Sequence, residues 1–194
     1  MLQAFLWSTG VVALGEMGDK TQLLALVLAA RFKRPWPIVA GIAVATLANH
    51  ALAGAVGHWI ALWLGPTTLR WLVGVGFIAM AAWMLVPDRF DDEDGAVRGG
   101  GRWGVFATTL VTFFFVEMGD KTQIATVALA ARFADLVSVV AGTTAGLLLA
   151  DAPVVWLGDA LSRRLPMKTL HRLAAALMAL LGVLAIANVG GAFG

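Results

Sequence analysis

The chain has 194 residues, 60% of them hydrophobic and 13% charged, with a mean hydropathy of +0.84. Soluble domains carry roughly a quarter charged residues and disordered chains are richer in charge still, so both classes are excluded. The net charge is +2, and with no cysteine there is no disulfide framework, thiolate metal site or cysteine nucleophile.

What remains is an all-α membrane protein. A bilayer core of ~30 Å needs about 20 apolar residues per helix. Six stretches meet that length, at 2–30, 37–64, 68–86, 104–131, 136–161 and 167–189, with Pro35, Pro37, Gly65, Pro66, Pro87 and Pro166 marking the joints. The connection 87–103 carries Asp88, Asp91, Asp92, Glu93 and Asp94 before Arg98 and Arg102, and reads as a solvated linker. It divides the chain into 1–86 and 104–194. The first residues have neither a basic stretch nor a cleavage-like site, so no signal peptide is expected.

Charge placement gives the orientation. Arg31, Lys33, Arg34, Arg89, Arg98, Arg102, Arg163, Arg164, Lys168 and Arg172 follow the first, third and fifth spans, whereas the other side holds only Arg70 and Arg132. Basic loops stay cytoplasmic. Both termini are therefore expected outside the cytoplasm, with the acidic linker inside it.

The chain also repeats. Glu16-Met17-Gly18-Asp19-Lys20-Thr21-Gln22 returns unchanged 101 residues later as Glu117-Met118-Gly119-Asp120-Lys121-Thr122-Gln123. Leu28 to Phe32 returns as Leu129 to Phe133, and Gly41, Gly57, Thr68 and Leu72 have counterparts in Gly142, Gly158, Thr169 and Leu173. Three spans per repeat, an odd number, would send the halves through the membrane in opposite directions. That predicts six transmembrane helices as two inverted three-helix repeats, with the two motifs facing each other near the midplane.

If each motif lies in one continuous helix, Glu16 and Asp19 share a face, and Lys20 is within pairing reach of Glu16. Gln22 would add an amide oxygen, and Gly18 would let a second helix approach closely. Glu117, Asp120, Lys121, Gln123 and Gly119 would repeat the arrangement. Intramembrane charges cost ~2.5–3.5 kcal/mol each, so these groups must face one another, water or an ion. Four carboxylates and two amides form an all-oxygen donor set for a hard divalent cation such as Ca²⁺, Mn²⁺ or Mg²⁺. No imidazole lies in the motif to suit zinc. Two carboxylates on one helix offer too few oxygens, so one site shared by both motifs is expected. Four acids against Lys20 and Lys121 leave minus two, which one divalent cation or two protons would balance. Met17 and Met118 read as packing residues.

His50 aligns with Asp151 at mid-span, with Asn49 beside it. They form either an interhelical hydrogen bond or a proton relay. His58 and Asp159, nearer the span ends, read as interfacial, as do Trp36, Trp59, Trp63, Trp71 and Trp103. No phosphate loop, Ser-His-Asp arrangement or nucleic-acid motif is present.

A duplicated Glu-x-Gly-Asp-Lys-Thr motif in a small six-span protein resembles a family of cation/proton exchangers. That family includes Golgi manganese and calcium transporters and bacterial manganese exporters. The resemblance implies that Glu16, Asp19, Glu117 and Asp120 bind the cation and that protons are the counter-ion. It further implies export of Mn²⁺, or of Ca²⁺, across a bacterial cell membrane. The cation would be cargo, with no cofactor, no enzymatic activity and no nucleic-acid partner. Two rival classes stand beside it. An intramembrane aspartyl protease would use Asp19 and Asp120, but Glu16 and Glu117 replace the first glycine of its Gly-x-Gly-Asp motif, and the chain has no Tyr. An exporter of small organic solutes would leave the convergent carboxylates without a purpose.

Overall fold

The computed structural model describes residues 1–86, 104–133, 135–157 and 167–189. Among these there are eight α-helices and no strand: α1 (Leu2–Glu16), α2 (Lys20–Phe32), α3 (Pro35–Trp63), α4 (Pro66–Met84), α5 (Gly104–Glu117), α6 (Lys121–Phe133), α7 (Leu136–Leu157) and α8 (Met167–Ile186). The linker 87–103, with Asp88 to Arg102 and Trp103, lies outside the described residues, as do Asp159, Arg163 and Arg164.

Helix ends follow local chemistry. Pro35 and Pro66 open α3 and α4, where a missing N–H costs nothing. Lys33 closes α2 in the left-handed conformation, its N–H bonded to the Ala29 carbonyl at 3.0 Å. By length and composition, α3, α4 and α7 can each cross a membrane alone. The outer surface agrees with a lipid solvent, because Leu6, Leu47, Leu52, Val75, Leu149 and Val183 are all exposed. A water-soluble domain would not display so wide an apolar surface.

One expectation is overturned. The stretches 2–30 and 104–131 are not continuous helices. Each is broken inside its motif, between Glu16 and Lys20 and again between Glu117 and Lys121. At 15 and 14 residues, α1 and α5 are only about 20 Å long, short of the hydrocarbon thickness. Hydropathy does not register such a break, because the residues on both sides remain apolar.

Packing is matched between the halves. The α1 helix lies against α7 and α3 against α5, while α4 pairs with α8. A Cβ on Gly41 would meet the Phe106 carbonyl oxygen at 2.9 Å and the Thr109 Cβ at 2.8 Å. A Cβ on Gly142 would meet the Phe5 carbonyl oxygen at 2.6 Å and the Ser8 Cβ at 2.9 Å. All three positions of one contact lie 101 residues from those of the other, so the sequence repeat is also a repeat of contacts. Trp36 at the start of α3 stacks edge-on against Trp156 near the end of α7, ring centres 5.3 Å apart, so these two helices run antiparallel.

Candidate cation site

Each break is built the same way. Gly18 and Gly119 take φ of 87° and 82°, a left-handed backbone that side chains resist. Asp19 N–H reaches the Glu16 carbonyl at 3.0 Å, and Asp120 N–H reaches the Glu117 carbonyl at 3.1 Å. The Gln22 side-chain oxygen accepts the Gly18 N–H at 3.1 Å, and Gln123 accepts the Gly119 N–H at 2.6 Å. The motif therefore encodes a stop, a turn and a restart.

This corrects two geometric expectations. Glu16 and Asp19 do not share a helix face, since Glu16 ends α1 and Asp19 stands at the N-cap of α2. Nor is close helix contact what Gly119 serves, because a Cβ there would meet nothing within 4 Å. The breaks also aim the positive N-termini of α2 and α6 at the acids, as half-helices do in transporters.

The acids converge from both halves. Glu16, Asp19 and Asp120, all buried, each present a carboxylate oxygen within 4.8 Å of the other two. Oxygens around a single cation stand up to about 4–5 Å apart, given metal–oxygen distances near 2.0–2.6 Å. Lys20 Nζ lies 3.6 Å from Asp120 Oδ1, bridging the two halves. Thr21 Oγ1 donates to Glu16 Oε2 at 2.6 Å. Like charges this close require a counter-charge or a proton.

The remaining residues are arranged differently. Glu117 is fully buried and close enough for the charges of Glu16, Asp19, Asp120 and Asp151 to bear on it, yet neither of its oxygens is hydrogen-bonded among the described residues. Lys121 Nζ reaches the Val86 carbonyl at 3.0 Å and lies 5.9 Å from the Trp83 ring centre. Gln22 ties its break to α7 through the Ala150 carbonyl at 3.1 Å. Asn49 supplies an interhelical hydrogen bond, donating to the Phe114 carbonyl at 2.9 Å. His50 and Asp151 do not; both are buried without a hydrogen-bond partner among the described residues. Met118 is 52% exposed, so at most half of its side chain packs against the protein. The count of four acids against two lysines is incomplete, because Asp151 adds a fifth buried carboxylate near Glu16 and Glu117.

The model of the family described as "Divalent cation/proton antiporter GDT1" matches residues 4–92 and 105–191. The chain belongs to this family. A Vibrio cholerae protein named "Putative manganese exporter" is 45% identical over 177 residues, spanning 91% of this chain and 86% of the relative. The yeast "Divalent cation/proton antiporter GDT1" is 24% identical over 221 residues, spanning 87% of this chain and 78% of the relative. No solved structure matches the chain.

The family is one of membrane transporters, so the chain is not an enzyme and the protease reading of Asp19 and Asp120 fails. The pairing of Lys20 with Asp120 also suits a cation site better than a proton-sharing dyad. Two features of the family motif escaped the sequence reading. Thr21 and Thr122 bind motif carboxylates, and their signal was identity at the same place in both copies. The break was signalled by Gly18-Asp19, a glycine followed by a favoured N-cap residue.

Proposed function

We propose that the protein exports Mn²⁺ from the cytoplasm in exchange for protons, with Ca²⁺ as the second candidate cargo. The observation that carries this reading is the trio of Glu16, Asp19 and Asp120, all-oxygen, buried, and drawn from both halves. Oxygen donors without thiolate or imidazole favour Mn²⁺, Ca²⁺ and Mg²⁺. Glu117 completes the site when the cation moves within it, and Gln22 and Gln123 hold the breaks beside it. When the cation leaves, these buried acids cannot stay together as bare charges, so protons take its place. His50 is the candidate proton relay.

The chain crosses the membrane six times in this reading, with α1–α2 and α5–α6 each forming one broken span. The halves 1–86 and 104–194 are inverted repeats joined by 87–103, and the matched contacts of Gly41 and Gly142 support that symmetry. Both termini lie outside the cytoplasm of a bacterial cell. In support, the Met1 amine lies 3.2 Å from Asp135, in the connection between α6 and α7 that this orientation also places outside.

Purified protein in liposomes tests the proposal. An imposed pH gradient should drive Mn²⁺ across the membrane, and Asp19→Asn should stop it. A gradient that moves a labelled amino acid and no divalent cation would favour the organic-solute reading instead.

A further inference from the structure

The motif acids do not exhaust the buried acid of the molecule. Asp151 lies in the C-terminal half of α7 at 0% exposure, and neither of its carboxylate oxygens has a hydrogen-bond partner among the described residues. Helix register shows what it faces. Gly142 meets α1 at Phe5 and Ser8, and Gly146 meets it at Thr9, Val12 and Ala13. One more turn brings Ala150 and Asp151 level with Glu16, and the Gln22 bond to the Ala150 carbonyl fixes the same register. The Asp151 charge bears on Glu117, and the Glu16 charge bears on Asp151.

The repeat is broken at this point. The counterpart of Asp151 is His50, and Pro153, which has Leu52 as counterpart, sits inside α7 two residues further on. Having no N–H, Pro153 leaves the Leu149 carbonyl without its helical donor. Helix pairing does not account for Asp151, since Asn49 and Gln22 make the interhelical bonds here. Coordination chemistry does. Three monodentate carboxylates leave Mn²⁺ about three ligands short of an octahedral shell, and Ca²⁺ shorter still.

We propose that Asp151 is a direct ligand of the transported divalent cation, supplying with Glu117 the oxygens that the Glu16–Asp19–Asp120 trio lacks. This rests on the cation-site reading above. It makes the site asymmetric, with an acid beyond the motif in the second half only.

Equilibrium binding of Mn²⁺ alone and of Ca²⁺ alone to the full chain in detergent tests it. Asp151→Asn, which keeps the shape and removes the charge, should weaken Mn²⁺ binding by more than about 100-fold, beyond the roughly 10–100-fold loss of a group one layer outside the metal, while the ion-free melting temperature stays near wild type. Asp151→His should weaken Ca²⁺ more than Mn²⁺, because imidazole suits the harder ion less. That ratio decides where the asparagine variant does not fold. Unchanged affinity in Asp151→Asn, or equal losses for both ions in Asp151→His, would overturn the role of Asp151 while leaving the cation site standing. A wild-type protein that binds neither ion would overturn the site itself.

Discussion

The two copies of the motif share seven residues and one backbone, yet their side chains are differently engaged. Both copies break the helix at a left-handed glycine, and both close the break with a glutamine. Beyond that they part. Thr21 bonds the Glu16 carboxylate at 2.6 Å, whereas Thr122 bonds Asp120 through its hydroxyl and its N–H, each at 3.3 Å. Lys20 stays in the acidic cluster, while Lys121 reaches the end of α4. Local sequence is enough to set a turn whose hydrogen bonds all fall within seven residues. Which carboxylate a threonine or lysine then meets depends on the neighbouring helices, and those differ. An asymmetric pair of identical motifs is what a transporter caught on one side of its cycle should show.

Removing charge from either glutamate should have the largest effect. Glu16→Gln and Glu117→Gln should each abolish Mn²⁺ transport, beyond the roughly 10–100-fold losses typical of groups one layer outside the metal. Equilibrium dialysis should find one ion per chain in the wild type and none in either variant. Half the stoichiometry surviving in each would mean two independent sites.

The threonines separate the copies. Hydrogen bonds to charged groups contribute ~1.5–3 kcal/mol, so Thr21→Val should weaken Mn²⁺ affinity at least about tenfold. Thr122→Val, losing longer bonds, should cost less. Equal losses would show that the copies exchange roles faster than binding is measured.

The glycines should behave alike, since both backbones are left-handed. Gly18→Ala and Gly119→Ala should each destabilise by ~1–2 kcal/mol, read as matched shifts in unfolding midpoint. A much larger loss at Gly18 would reveal crowding there in addition to strain.

The smallest effect belongs to Asn49→Ala. It removes the bond to the Phe114 carbonyl, and interhelical hydrogen bonds in membranes average ~0.6 kcal/mol. Stability should fall by that order with Mn²⁺ affinity unchanged. A drop in affinity would draw Asn49 into the site.

Much of this was legible in the residues. Glu16, Asp19, Glu117 and Asp120 stood out because charge inside apolar stretches is costly and the copies were identical. The membrane class followed from composition, and the family from the motif. The break was misread because hydropathy averages over a Gly-Asp pair, so 2–30 looked like one helix. Asp151 was visible as an intramembrane acid aligned with His50, read as either an interhelical hydrogen bond or a proton relay. That it has no partner depends on α1, α2 and α7 meeting at one level.

By itself, then, the sequence determined the solvent, the repeat, the turn at each glycine and the identity of the acids. These are decided by composition and by bonds that close within a few residues. Only the tertiary structure decided that Asp120 crosses to join Glu16 and Asp19, that Lys20 and Lys121 part company, and that Asp151 faces Glu16. Residues about a hundred positions apart meet through the packing of α7 on α1 and of α3 on α5. No local pattern specifies the side-chain contacts that such packing creates.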